Sequence, residues 1–172
     1  FATRRSAELM GGMLGEAGRV LAAVPLHSTT VAALTIASDG TEKQKQDILP
    51  SVSNGDMVLT WAVAERDPRM IPEAMTLVAT ADGNGWVLNG TKMFVDNFIV
   101  AHRCLVAART SPASDSNQGI SLFLVDRNGT GVCQTALLTL AHDKQSRVDF
   151  KVHRIKGAAL VGELDRPQEH ST

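Results

Sequence analysis

The sequence predicts an α+β fold, an N-terminal helical segment followed by a β-barrel or β-sandwich, and three observations carry that reading. Up to Pro50 the chain is rich in Ala and Leu and carries helix start and stop signals. After Pro50, β-branched runs alternate with turn residues. Six or more of these runs are short and closely spaced, which is the pattern of a sandwich or barrel.

The bulk properties set limits. At 172 residues, with 44% hydrophobic and 20% charged side chains, the chain can bury a core without cross-links and is not polar enough to stay disordered. A net charge of −1 gives neither nucleic acid nor an anionic membrane a reason to bind, so no partner of either kind is expected. The apolar stretches are too short to span a bilayer as helices, and no signal-peptide pattern opens the chain. Cys104 and Cys133 form no Cys-x-x-Cys pair and sit in apolar runs. They read as buried thiols of a reducing compartment, with a disulfide left open. A cytoplasmic location is expected, or the mitochondrial matrix in a eukaryote. The chain opens at Phe1-Ala2-Thr3 with no initiator Met and reads as a fragment of something longer.

In order, residues 7–23 suit a helix whose apolar stripe is Leu9, Met13, Ala17, Val20 and Leu21. Gly11, Gly12, Gly15 and Gly18 cost about 1 kcal/mol each in helix propensity, which implies close packing against a neighbour. Pro25 interrupts. Residues 29–38 suit a second helix, although their Thr and Val content suits a strand as well. Gly40 reads as a helix stop. Thr41 and Gln44 have capping-box spacing, and the short helix 42–49 is expected to close at Pro50.

Strands are expected over 57–63 and 75–81, with Asp82-Gly83-Asn84-Gly85 as a hairpin turn. Residues 86–88 lead to a second expected turn at Asn89-Gly90. The nearly continuous apolar runs 104–109 and 120–125 read as strands covered on both faces, and Asn128-Gly129 as another turn. Residues 146–152 alternate Val148, Phe150 and Val152 against Arg147, Asp149 and Lys151, a half-exposed strand. No internal repeat of 20–50 residues occurs. The expected division is a helical part at 1–53, a β domain at 54–163, and a linker or frayed tail at 164–172.

Most motif tests fail. The Asn-Gly-Thr triplets at 89 and 128 are better read as turns than as glycosylation acceptors. The glycines at 11–18 lack Gly-x-Gly-x-x-Gly spacing and do not follow a strand. His27, His102, His142, His153 and His170 show no zinc-ligand spacing, and no Gly-x-Ser-x-Gly elbow occurs. Glu65, Asp67 and Asp96, taken singly, read as solvated or capping acids.

Several stretches in sequence order resemble the acyl-CoA dehydrogenases. Gly40-Thr41-Glu42-Lys43-Gln44-Lys45, Leu49-Pro50 and Asn54-Gly55-Asp56 resemble the run that leads into that family's middle domain. Trp61-Ala62-Val63-Ala64-Glu65 follows where the family has an aromatic residue and an apolar stretch ending in Thr-Glu. Trp86-Val87-Leu88-Asn89-Gly90-Thr91-Lys92-Met93-Phe94-Val95 is similar to its Leu-Asn-Gly-x-Lys-x-Trp-Ile segment. The stretches 101–109, 119–126 and 150–163 continue in its style, so the likeness covers residues 15–163.

The resemblance implies a helical part, a β-barrel-like middle domain and a C-terminal helical domain that this chain does not reach. It implies FAD as cofactor and an acyl-CoA thioester as substrate, oxidised between its α and β carbons. The base, a glutamate of the C-terminal domain in the family, matches no position here. An electron-transfer partner and a homo- or hetero-oligomer are implied as well. For the flavin, the resemblance assigns Trp61, Val63 and Ala64 to a strand along the ring edge, and Phe94, Val95 and Asp96 to the segment packing on its face. Met70 stands at the substrate side, where the family carries a serine. Ala64 replaces a threonine, and Asp96 replaces a hydroxyl donor at the flavin N5 position. These departures keep other readings open: a non-catalytic subunit of the same fold, or an oxygen-using flavin oxidase or monooxygenase. A β-sandwich binding module is disfavoured by the ordered likeness.

Overall fold

The computed structural model describes residues 4–20, 22, 24–69, 71–111, 119–141 and 143–164, and their side chains apart from those of 4–10 and 72. Three helices come first, α1 (Arg4–Arg19), α2 (Leu26–Asp39) and α3 (Glu42–Ser53). The strands are β1 (Leu59–Ala62), β2 (Val78–Asp82), β3 (Gly85–Asp96), β4 (Arg103–Arg109), β5 (Ile120–Asp126), β6 (Val132–Leu137), β7 (Gln145–Lys156) and β8 (Leu160–Val161). The α+β class is the one observed.

The eight strands among the described residues belong to one sheet in the order β6-β7-β3-β2-β4-β5-β8, with β1 paired in parallel to β4. The expected barrel does not close. Closure requires the two end strands to pair, and one of them, β8, is two residues long. The sheet curls instead. Trp86 on β3 packs on Phe123 of β5 with ring centroids 5.4 Å apart, although two strands separate them in the order. Inside the curl lie Leu77, Leu88, Val106, Phe123, Val148 and Phe150.

Helices α2 and α3 cover the opposite face, where Ala32, Ile36 and Ile48 meet Leu59, Leu105, Leu124 and Val161. Successive strand residues point to opposite faces, so Cys104 and Val106 enter the inner core while Leu105 enters the helical one. This is why the run at 104–109 is apolar throughout. Packing on β1 also settles 29–38 as helix. The Thr29 hydroxyl donates to Leu59 O at 3.0 Å and accepts from Leu59 N at 3.2 Å, closing the edge of β1 that faces away from β4.

The capping box at Thr41 and Gln44 is present in both directions. The buried Gln44 amide also donates to Ala158 O and Leu160 O at 2.9 Å each, tying α3 to the end of the sheet. Pro50 does not close this helix, which runs on to Ser53, with Asn54 N bonding to Pro50 O. Proline lacks the N–H that would bond back to residue 46 and crowds that carbonyl, but it still accepts from Asn54 N, so the last turn continues past it.

Other expectations need correction. The stripe on α1 is not covered: Met13 and Val20 are exposed, and apart from the backbone of the helix itself nothing among the described residues lies within 4 Å of a Cβ built on Gly11, Gly12, Gly15 or Gly18. Helix α1 ends at Arg19, and residues 21 and 23 of the expected helix lie outside the described residues. Asn89-Gly90 is not a turn but a point inside β3 where the register with β7 shifts. Gly90 has φ 143, and a Cβ there would lie 2.7 Å from Leu77 Cα, so the glycine serves a close backbone approach. Cys133 lies on β6, a strand the hydrophobic pattern did not reveal, and is exposed; Cys104 is buried. Residues 165–172 of the expected tail lie outside the described residues.

Candidate functional site

Two chain segments meet along the inner half of β3. Strand β1 lies in parallel against the first half of β4, from Leu59↔Arg103 to Ala62↔Val106, and β2 takes up the same side of β4 at Val78↔Arg109. The two behave as one strand position interrupted by an excursion at 63–77. Its first residues run beside β3: Met93 N donates to Ala64 O at 2.9 Å, and Lys92 Nζ to Val63 O at 3.0 Å. Farther along, the Thr60 hydroxyl donates to the carbonyl of Asp96. Val63 and Ala64 are thereby held against the segment containing Phe94, Val95 and Asp96.

That segment is shaped by a bulge. Lys92 pairs with Val148 and Val95 with Ser146, so β3 spends one more residue than β7 over the interval. The extra residue lies at Met93-Phe94, and Phe94 takes a left-handed φ of 52. Its ring is turned out and 61% exposed, whereas Val95 returns to the core at 1%. The side chain of Val95 is therefore spent on packing, and only its backbone can face a ligand. Trp61 is half-buried and packs toward the helical core, on the face opposite Ala62.

Asp96 is half-buried, with Gln145 Nε2 at 3.4 Å from Oδ1. Burial raises its pKa above the ordinary carboxylate value, and the negative charge of Asp143 adds to this; Asn97 and His27 act in the opposite sense. Met70 lies outside the described residues.

The sequence reading missed the group that organises the site. Glu65 is not a solvated acid: it is buried and accepts from Thr76 N at 2.7 Å, Thr76 Oγ1 at 2.5 Å, Leu77 N at 3.0 Å and Lys92 Nζ at 2.8 Å. It closes the neck of the 63–77 excursion. Burial alone would raise its pKa, but hydrogen bonds from Lys92 and Thr76 and the charge of Lys92 outweigh it and hold the carboxyl below its ordinary value. Lys92 has no exposed side-chain surface, and burial pushes its pKa down against the opposing pull of Glu65. A lysine inside an apolar strand and an acid ending one were the available signals, but only their pairing across 27 residues distinguishes them from surface charges.

Of the histidines, His102 Nδ1 accepts from Val58 N at 2.9 Å, and His153 Nδ1 lies 2.6 Å from Thr130 O; both bond to backbone. His142 and His170 lie outside the described residues. Among the described residues, no cluster of three His, Cys, Asp or Glu could hold a metal ion, and no helix is long and apolar enough to cross a membrane.

The fold agrees with what known proteins show. The profile of the acyl-CoA dehydrogenase middle domain matches residues 60–152, more than half of the chain. The chain belongs to the acyl-CoA dehydrogenase family. Acyl-CoA dehydrogenase FadE26 of Mycobacterium tuberculosis is 31% identical over 153 residues, covering 86% of this chain and 38% of FadE26. Among solved structures, the ChsE4-ChsE5 complex from Mycobacterium tuberculosis superposes with a TM-score of 0.78 at 29% identity, over 88% of this chain and 39% of that one. An acyl-CoA dehydrogenase from Geobacillus kaustophilus gives 0.70 at 31% identity, over 76% of this chain and 35% of that one. The chain spans about a third of the length of the curated relatives it matches.

Proposed function

We propose that this chain is the flavin-facing part of an FAD-dependent acyl-CoA dehydrogenase that introduces an α,β double bond into an acyl-CoA thioester. The observation that carries the proposal is the orientation of the peptides at 63–65. A trans peptide points its C=O and N–H in opposite directions, and no cis peptide is present among the described residues. Because Val63 O is taken up by the buried Lys92 Nζ and Ala64 O by Met93 N of β3, the N–H groups of Ala64 and Glu65 point away from these two donors.

This donor set fits a flavin. Two outward N–H groups suit the acceptor-rich edge of its pyrimidine, and the exposed Phe94 ring offers a flat apolar face. The loss of a hydroxyl at Ala64 leaves these backbone donors in place. Asp96 fits only in its protonated form, because an ionised carboxylate cannot donate to N5, and its raised pKa moves it in that direction. In this reading Trp61, Val63, Ala64, Phe94, Val95 and Asp96 border the cofactor, Trp61, Val63 and Val95 through their backbone, the peptide N–H of residue 65 joins them, and Met70 borders the substrate. FAD, when bound, supplies the hydride acceptor. The proton-abstracting carboxylate is assigned to no residue of this chain.

The division into 1–53, 54–163 and 164–172 belongs to the same proposal, as do assembly into an oligomer, electron delivery to a protein acceptor and a cytoplasmic location. The test is anaerobic titration of the natural full-length protein, loaded with FAD, against a series of acyl-CoA thioesters. Bleaching of the oxidised flavin band by one of them supports the reading.

A second reading is favoured by one observation. The carboxylate of Asp96 at a position that calls for a donor, together with Ala64, suits a subunit that lends shape to a complex and turns over nothing itself. Uptake of FAD with no bleaching by any thioester, followed by bleaching once a second subunit is added, would select it.

A further inference from the structure

Lys92 and Glu65 form an ion pair that is poorly explained by stability alone. Lys92 has no exposed side-chain surface and Glu65 only 6%. Desolvating two such ions cancels most of what their attraction returns, and apolar residues of similar volume often serve the fold as well. What the apolar residues could not do is hold peptide groups.

Every hydrogen bond of the pair ends on backbone near the candidate flavin edge or within the pair's own surroundings. Lys92 Nζ holds Val63 O, 3.0 Å away, and the next residue, Met93, holds Ala64 O. Glu65 directs Lys92 from one oxygen and takes Leu77 N on the same atom, while its other oxygen takes both groups of Thr76. Two consequences follow. The carbonyls of 63 and 64 are fixed on the Lys92 ammonium and the Met93 N–H, so the following N–H groups face away from those donors. The excursion at 66–75 is pinned at its neck, immediately beside the bulge that turns Phe94 outward.

We propose that Lys92 and Glu65 are positioning residues, which set the orientation of the peptide groups at 63–65 and their spacing from Phe94 for a flavin bound there. The proposal rests on the flavin reading above. Because Ala64 offers no hydroxyl, the backbone donors carry the hydrogen bonding at this edge, and their orientation is not left to the strand ladder. The N–H groups themselves stay in place only while their carbonyl partners hold, so losing Lys92 frees the peptide between Val63 and Ala64 to rotate.

The experiment uses the natural full-length protein, its Lys92→Met/Glu65→Leu double variant and its Glu65→Gln variant. FAD dissociation constants, the visible flavin spectrum and the melting temperature of the flavin-free form are measured for each. The double variant replaces the ions by apolar side chains of similar length, and is expected to fold yet bind FAD roughly tenfold more weakly, the scale of one or two lost hydrogen bonds. Its flavin spectrum is expected to shift. Glu65→Gln keeps an oxygen for Lys92 and Leu77 but turns an amide toward Thr76 and leaves the Lys92 charge uncompensated, so it is expected to lower the melting temperature. The Lys92 donor to Val63 O stays in place, and FAD binding is expected to fall by less than about threefold.

A folded double variant that binds FAD as tightly as the natural protein, with an unchanged spectrum, overturns the proposal. So does a folded Glu65→Gln variant weakened about tenfold or more against the natural protein, since loss of the charge with the Lys92 donor still in reach of Val63 O would then be enough; this arm decides the question even if the double variant does not fold. Failure of the natural protein itself to take up FAD ends the flavin reading and this inference with it, whereas the first two outcomes leave the flavin reading standing.

Discussion

Phe94 on β3 and Val152 on β7 adopt the same left-handed backbone, φ 52 and φ 51, at the two bulges of a single ladder. At the first, β3 carries the extra residue between Lys92 and Val95; at the second, β7 carries it between Phe150 and His153, opposite Gly90 and Leu88. Both side chains are thrown outward, Phe94 to 61% exposure and Val152 to 57%. The bulges bend the ladder in the region where the sheet curls over its core.

A β-branched residue in the left-handed region is strained. Val152→Gly is therefore expected to raise stability by about 0.5–1 kcal/mol, the relieved strain less the extra entropy glycine loses on folding. Chemical denaturation checks it. A loss of stability would show that the exposed Val152 side chain has a packing role the bulge account denies.

Gly90→Ala should act in the opposite direction. With φ 143 and a Cβ only 2.7 Å from Leu77 Cα, the methyl group meets backbone that cannot swing aside. A cost of about 2 kcal/mol or more is expected from strain and overpacking combined. A melting-temperature drop of less than a degree would refute the close approach.

Lys92→Met alone leaves Glu65 buried with an uncompensated charge, and is expected to cost about 3–5 kcal/mol at neutral pH. In the natural protein the Glu65 pKa is lowered on folding, so its contribution is present above the ordinary value of 4.5 and lost as pH falls through the folded pKa. In Lys92→Met the sign reverses: burial without Lys92 raises the folded pKa, and acidification relieves the variant. Denaturation at pH 7 and near pH 4 should show the gap between the two proteins narrowing.

Asp96 titrates with the other sign. Its folded pKa is raised, so the ionised form costs stability above that pKa, and the cost fades as pH falls toward the ordinary value of 3.8. Asp96→Asn should melt higher than the natural protein at pH 7, with the two curves converging in acid. A lower melting point at pH 7 would mean that the carboxylate is better solvated or better paired than its position implies.

Local chemistry made part of this molecule legible in advance. The capping box at Thr41 and Gln44, the hairpin at Gly83-Asn84, and the doubly covered runs at 104–109 and 120–125 follow from residue types acting on near neighbours, and the ordered motifs around Trp61, Lys92 and Gly119 marked the family. Asn89-Gly90 misled because the same permissive backbone serves a turn or a bulge, and only the presence of Leu77 against it decides which. Val152 broke its alternation for a related reason: one inserted residue flips every later side chain, so His153 became the buried one.

The sequence by itself determined the class of fold, the order of most elements and the family, because each is written in periodicity, caps and contiguous motifs. Tertiary structure alone decided that the sheet curls without closing, that Phe94 faces outward while Val95 does not, and that Glu65 meets Lys92. Burial of a charge depends on what the rest of the chain places around it, and here the excursion that carries Glu65 meets its partner on β3, 27 residues away and beyond the reach of any local pattern.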